Sequence, residues 1–269
     1  MAELSIITIC KDDPKGLTKT WKSVTRSIRP YVDWIVIDAA SDTNTQQVLK
    51  DIRSEGWNVT SEPDDGIYDG MQKGLNRSAG KWVLFMNAGD EFADSDVLSD
   101  VSDVLQTSPP RSIVFGDAIE CPPSGQSRVR NAPGFDQIDF GMPASHQSIF
   151  YRREVLEEFP FQSGSSSADW MQLLEMHVHG VNTFHIDRVI CRFDTTGVSN
   201  VNWRNSITER TTYLKQTGRW NTDTARRYRW ITAHATVANT LSALLPRSVW
   251  IRLSKFKRVA SQALQGAKG

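Results

Sequence analysis

An α/β architecture, a parallel sheet flanked by helices with a helical extension after it, is the fold class that the sequence predicts. Three observations carry it. Short apolar runs rich in Ile and Val, each too short for a helix, recur through the first three quarters of the chain. They alternate with stripes of helical spacing across short loops, and from Trp203 onward only helical patterning remains. With 269 residues, 39% of them hydrophobic, the chain is long enough for one large core with an appended lobe. The expected organisation is one α/β unit over 1–202 and a basic helical extension over 203–269.

The elements follow in order. Residues 4–10 form a buried strand that runs into Lys11-Asp12-Asp13-Pro14. Leu17, Trp21, Val24 and Ile28 then mark a helix over 15–28. Residues 34–38 are a second strand, closed by Asp38, and Ser41 or Asp42 can cap the helix expected over 43–55. A third short strand at 57–60, a helix over 66–79 and a strand at 81–86 continue the alternation, which goes on through a helix near 97–105 and a strand at 113–116. The Pro-, Gly- and Ser-rich stretch 120–143 reads as a hairpin and loop over one face. A strand at 147–151, a helix over 168–178 and a strand over 182–193 complete the unit.

The balance of 31 Lys+Arg against 31 Asp+Glu hides a division, because residues 203–269 hold 13 of the basic residues and 2 of the acidic ones. An acidic body therefore carries a basic extension. Three widely spaced cysteines, Cys10, Cys121 and Cys191, indicate neither a disulfide framework nor a zinc site and suit a reducing cytoplasm. No basic leader precedes a long apolar run, and no 18 apolar residues stand together, so neither secretion nor a membrane span is expected. A G-x-x-x-x-G-K-[ST] phosphate loop and a G-x-G-x-x-G turn are both absent, which disfavours an ATPase and a dinucleotide dehydrogenase.

Open α/β sheets bind ligands at the carboxyl ends of their strands. Asp12, Asp13 and Asp42 there read first as turn or cap residues. Asp38 and Asp90 each terminate a strongly apolar strand, at the rim of the sheet. A diphosphate would be neutralised in such a place by a divalent cation on a carboxylate, with water and phosphate oxygens filling the remaining positions.

The segment from Ser61 to Gly74 (Ser-Glu-Pro-Asp-Asp-Gly-Ile-Tyr-Asp-Gly-Met-Gln-Lys-Gly), then Ala79-Gly80-Lys81-Trp82 and Phe85-Met86-Asn87-Ala88-Gly89-Asp90, resembles the donor-binding half of glycosyltransferase family 2. The opening Leu4–Ile9 run and the Val36–Asp42 segment are similar to the family's nucleotide-base site. Pro143–Tyr151 and Ser167–Trp170 resemble the branch that contains colanic-acid fucosyltransferases. The resemblance covers roughly residues 4–200. It implies a GT-A fold, Rossmann-like with a mostly parallel sheet, an inverting mechanism, and a Mn²⁺ or Mg²⁺ ion.

Carried over residue by residue, the resemblance has Thr8 and Asp38 facing the nucleotide base. Asp65 and Lys73 come near base, ribose or phosphates, with Gly66 and Tyr68 in the same donor segment. Asp90 becomes the metal ligand that closes the family's Asp-x-Asp motif. Ala88 departs from that motif, and Asn87 is the nearest other oxygen ligand. The candidate general base is Asp169, at the first turn of its helix after the 163–167 run of Ser and Gly, where helix capping is the bland alternative. His146 stands where it can reach phosphate, metal or acceptor. Tyr68 and Trp170 can stack on base or sugar or simply pack, and Arg152 and Arg153 can contact phosphate or start a helix.

Two helical stripes remain, one over 228–245 and a basic amphipathic one over 248–264 with Arg252, Lys255, Lys257 and Arg258; each can pack on the body or lie on an anionic membrane. The function expected is metal-dependent sugar transfer to a hydroxyl of a surface glycan or lipid-linked acceptor, with GDP-fucose as first donor to try and no nucleic-acid partner. The expected place is the cytoplasm, peripheral on the inner face of the cell membrane. The rivals are a nucleotide-sugar-binding or membrane-scaffold protein with weak turnover, and a sugar nucleotidyltransferase.

Overall fold

The chain is described by a computed structural model over residues 3–122, 126–162, 164–194 and 203–244. Strand β1 (Leu4–Cys10) lies between β2 (Val32–Asp38) and β4 (Trp82–Phe85), parallel to both, and β3 (Asn58–Ser61) adds outside β2. In register, Ile7 stands opposite Ile35 on one side and Phe85 on the other. The crossovers are α1 (Pro14–Ser27), α2 (Thr43–Ser54) and α3 (Ile67–Arg77). Asp13 caps α1 by accepting the Gly16 amide at 2.8 Å, with Pro14 starting the helix, and Asp42 caps α2 through Thr45 N at 2.9 Å. Each such cap stabilises by about 1 kcal/mol.

Beyond β4 the parallel expectation gives way to a mixed sheet. After β5 (Glu91–Phe92) and α4 (Val97–Thr107), β6 (Ser112–Cys121) pairs antiparallel with β7 (Arg128–Arg130) and with β8 (Ile149–Arg152), and β8 runs antiparallel to β4. Strand β9 (Asn182–Asp194) is parallel to β6 and takes β5 on its other edge. The reason lies in the connection between β6 and β8, which carries β7 and a 3-10 turn at Phe135–Phe140 where a crossover helix would be needed for a parallel return. A short α5 (Arg153–Glu158), unmarked by any stripe in the sequence, follows β8.

Both faces of the sheet are covered, which is what the unbroken apolar strands require. On one face Ile6, Trp34, Val36, Trp82 and Leu84 pack under Leu17 and Val24 of α1, Leu49 of α2 and Leu98 of α4. On the other, Ile7, Val83 and Phe85 pack under Met71 and Leu75 of α3 and Trp170 and Leu173 of α6 (Ala168–Val178). The helices of the extension, α7 (Trp203–Gln216) and α8 (Thr222–Leu244), join this second face through buried Leu214 and Tyr228. The basic stripe at 248–264 lies outside the described residues.

Gly80 lets the loop before β4 lie against β1, with its amide donating to Ser5 Oγ at 2.8 Å; a Cβ there would stand 2.4 Å from the Ser5 backbone nitrogen. Backbone cannot yield as a side chain does. Gly80→Ala should therefore lose about 1–3 kcal/mol of stability, the usual cost of overpacking, measured as a lower urea midpoint with unchanged slope.

Candidate active site

The carboxyl ends of β1, β2 and β4 open on one cavity of 830 Å³, ample for a nucleotide carrying a sugar. Its floor is Ile9, Cys10 and Ala39 from the strand ends. The N-terminus of α3 reaches it through Gly66, Ile67 and Tyr68, so unpaired helix amides and the positive end of the helix dipole lie at its wall. Asn87, Ala88 and Gln147 border it on another side, and Asp169 and His146 line it as well.

The loop from Asn87 to Asp90 is held in a fixed shape. Thr20 of α1 donates its hydroxyl to Asp90 O at 2.7 Å and accepts the Gly89 amide at 3.0 Å, while Lys19 Nζ donates to Gly89 O at 3.0 Å. Gly89 has φ of 98°, a conformation in which a side chain is strained. The loop so held leaves Asn87 Oδ1 and Asp90 Oδ2 buried with no hydrogen-bond partner. Asp90 is 6% exposed, and burial pushes its pKa up to about 7, a rise that the Gln147 side chain and Lys19 partly counter. Two orphaned oxygens, one of them on a carboxyl whose pKa is raised by burial and by the charge of Asp194, match the donor set of a hard divalent cation completed by phosphate and water. Among the described residues no group of three or more His, Cys, Asp or Glu could hold a metal ion by itself.

Asp169 heads α6 and faces the same cavity. Its Oδ1 accepts the Tyr68 hydroxyl at 3.1 Å and the Trp170 amide at 2.8 Å. Burial, and then the Asp169 charge, hold the Tyr68 phenol far above its ordinary pKa, so Tyr68 remains a proton donor and fixes the carboxylate. Its ring stacks on Phe161 at 5.4 Å. His146 lies deep beside them, stacked on Phe85 at 5.4 Å, with neither ring nitrogen hydrogen-bonded; burial lowers its pKa and keeps it neutral.

Other residues singled out from the sequence stand apart from the cavity. The Thr8 hydroxyl is sealed inside the sheet, donating to Met86 O at 2.7 Å and accepting the Trp34 indole N–H at 2.9 Å, so it ties strands together instead of facing a base. Asp38 is fully buried. Its Oδ2 accepts from Ser41 N, Gln46 Nε2 and Ser61 Oγ, and its Oδ1 has no partner. Asp65 is exposed on the loop before α3, and the neighbour Asp64 lines the cavity in its place. Lys73 braces that loop by donating to Pro63 O at 2.7 Å and pairing with Asp69 at 2.8 Å. Trp170 is core, donating to Ile138 O, and Arg152 and Arg153 are spent on Ser108 O, Gly80 O, Leu75 O and Ser78 Oγ.

Sequence reasoning passed over Arg130 of β7 and Arg210 of α7, both of which line the cavity. Arg130 sits in the loop region 120–143, where no motif was readable, and Arg210 was one of many basic residues in the extension.

Comparison with known proteins supplies the family. The model of glycosyl transferase family 2 matches residues 5–159. An uncharacterized glycosyltransferase of Mycobacterium tuberculosis is 28% identical over 204 residues, 73% of this chain and 77% of that one. A PGL/p-HBAD biosynthesis glycosyltransferase of Mycobacterium bovis is 28% identical over 134 residues, 49% of this chain and 52% of its own length. Among solved structures, the mannosyltransferase PcManGT from Pyrobaculum calidifontis, in complex with GDP-Man and Mn²⁺, superposes with a TM-score of 0.62 at 14% identity, covering 97% of this chain and 80% of that one. S. aureus TarS in complex with UDP-GlcNAc gives 0.61 at 14% identity over 80% of this chain, which spans 66% of that structure. The structural likenesses establish a GT-A-like fold.

The Asp90 carboxyl carries a sign that can be checked. With a pKa raised from 3.8 to about 7, the folded chain keeps a proton that the unfolded chain has lost, so stability falls as pH rises from about 4 to about 7. Asp90→Asn removes that cost. In metal-free protein the variant should melt higher than the parent at about pH 7.5, by at least the ~2–4 °C that corresponds to 1 kcal/mol in a chain of this size. The gap should close near pH 4. Midpoints that differ equally at both pH values would assign Asp90 no buried ionisation.

Proposed function

This chain belongs to glycosyl transferase family 2, and we propose that it moves a sugar from a nucleotide-diphosphate donor to an acceptor hydroxyl with inversion, using Mn²⁺ or Mg²⁺. The observation that carries the reading is one cavity lined by Asp169, by Asn87 and Ala88 of the loop that ends in buried Asp90, and by the N-terminus of α3.

Asp169 is the base. Tyr68 holds its Oδ1, and the carboxylate takes the acceptor proton as the hydroxyl oxygen attacks the anomeric carbon. Asn87 and Asp90 would hold the cation, which would supply Lewis-acid stabilisation of the departing diphosphate. Neutral His146, enclosed by Phe85 and Phe161, keeps water from that end of the cavity. Asp38, with its one unpaired oxygen beneath the β2 end, is the candidate for reading the nucleotide base, and Gly66 and Tyr68 approach the donor from α3.

Phe140, Met142, Trp203, Ile207 and Ile231 give part of the cavity an apolar lining. Such a lining suits a glycolipid or other lipid-linked acceptor. The opposite side of α8 exposes Trp230 (59%), Val237 (50%) and Leu244 (74%) at a heptad spacing, with Arg226, Arg227 and Arg229 nearby. This supports a peripheral contact with an anionic membrane, on the cytoplasmic face, that brings the acceptor to the cavity mouth. Among the described residues no helix is long and apolar enough to cross a membrane. PcManGT binds GDP-Man and TarS binds UDP-GlcNAc, so GDP-fucose enters a donor panel beside these; no relative's name points to fucose. Ala88, which leaves one carboxylate in the metal loop, favours the rival of a nucleotide-sugar-binding scaffold without turnover.

Donor hydrolysis across a panel of UDP- and GDP-sugars, with and without Mn²⁺, separates the two readings, since a scaffold binds donor and releases no sugar. Asp169→Asn should bind donor as the parent does and turn over about 10²–10⁴-fold more slowly. Unchanged rate and affinity would reduce Asp169 to a helix-start residue. For the membrane contact, vesicles containing anionic lipid should sediment the parent at low salt and release it at high salt, with Trp230→Glu/Val237→Glu sedimenting poorly. Equal sedimentation of the two would exclude this face of α8 from the contact.

A further inference from the structure

We propose that Arg130 and Arg210 form a two-armed clamp for the diphosphate of the donor. The proposal rests on the glycosyl-transfer reading and adds residues that stand outside the motifs supporting it.

The sheet aligns one arm with the metal loop. Arg130 of β7 pairs with Ala118 of β6, Ala118 with Cys191 of β9, and Cys191 with Phe92 of β5, two residues beyond Asp90. At about 4.8 Å per strand the Arg130 and Phe92 backbones are roughly 14 Å apart on one rung, with the Cys191 thiol feeling both Asp90 and Arg130. The other arm stands at the base. Arg210 lies over the ring of Trp170, the residue after Asp169, with its guanidinium carbon 5.3 Å from the ring centre. Both side chains line the cavity, and the charge of Arg210 is felt at Arg130.

Neither arm is spent on the scaffold as Arg152 and Arg153 are. The Arg130 contact to Glu120 is 3.9 Å, and Glu120 is already closely held by Arg128. Arg210 has no acidic partner among the described residues, and its Nε is buried without a hydrogen bond. Burial lowers the Arg130 pKa, Glu120 counters this, and the charges of Arg128 and Arg210 lower it further, yet a guanidinium stays charged at neutral pH. Among the described residues four acids line the cavity: Asp13 caps α1, Asp64 holds the Gly66 amide, Asp169 is held by Tyr68, and Asp194 stands at the end of β9, where its charge is felt by Asp90. Two partly desolvated guanidinium forks sharing one wall call for an anion that accepts several hydrogen bonds at once, which a diphosphate does.

The clamp also answers the reduced metal loop. With Ala88 where a second carboxylate would stand, Asp90 and Asn87 would offer a cation one carboxylate, and the forks would take up charge that a fuller metal site would neutralise. In the transfer step the bond between the anomeric carbon and the diphosphate oxygen breaks, its electron pair passing to that oxygen. The bond from the acceptor oxygen forms, and the acceptor proton goes to Asp169. The negative charge that grows on the leaving diphosphate falls between Arg130 and Arg210, where it needs no reorganisation of water.

The test is calorimetric binding of UDP, GDP, UMP and GMP to the full chain with Mn²⁺ present, for the parent, Arg130→Met, Arg210→Met and the corresponding Lys variants. The Met variants should lose at least about tenfold in affinity for the nucleoside diphosphate that the parent binds, and much less for its monophosphate. The Lys variants should recover part of the loss, and they keep the comparison available if a Met variant fails to fold. Parent-like diphosphate affinity in the folded variants, or an equal proportional loss for mono- and diphosphate, overturns the clamp and leaves the transfer reading standing. A parent that binds no nucleotide at all removes the transfer reading and the clamp with it.

Discussion

Everything at the site depends on β1 being buried on both faces between two parallel partners. With Ile6 committed to one core and Ile7 to the other, and β2 and β4 locked to it in register, the polar groups of this sheet have one outlet, the carboxyl ends of the strands. Cys10, Asp38 and Asn87 reach that edge together because their strands are staggered by backbone hydrogen bonds rather than by anything in the ligand. The Thr8 hydroxyl, joining Trp34 on β2 to Met86 at the end of β4, reinforces the same alignment from within.

The second constraint is desolvation. Orphaned polar atoms are costly in a protein interior, and here several fall around one cavity or just beneath it: Asp38 Oδ1, Asn87 Oδ1, Asp90 Oδ2, both nitrogens of His146 and Arg210 Nε. The scaffold that holds them is well satisfied, as the Thr20 clamp on the Asn87–Asp90 loop and the arginine clamp of Arg153 demonstrate. Rigid support around unsatisfied groups is the pattern of a site organised for a charged ligand.

The chain divides its labour along its length. Residues 5–159, matched by the family model, build the nucleotide half of the cavity, whereas Asp169, Arg210 and the apolar acceptor wall of α7 and α8 come from later residues. The acidic body and basic extension therefore meet at the cavity, where Arg210 stands beside the residue pair Asp169-Trp170.

What the sequence by itself determined was everything set by neighbours along the chain. The strand runs of β1, β2 and β4, the helix stripes of α1 and α6, the caps at Asp13 and Asp42, and the donor motif with its missing carboxylate at Ala88 all follow from local periodicity and turn chemistry. Tertiary structure alone decided which way β8 runs, since antiparallel and parallel pairing present the same apolar pattern. It likewise decided that Thr8 faces inward and that Asp64 rather than Asp65 meets the cavity, because a side chain's surroundings are chosen by strands and helices far away in sequence. Arg130 and Arg210 are the clearest case: 80 positions apart and without a motif between them, they line one cavity only because α7 packs on the sheet near the edge where β7 pairs with β6.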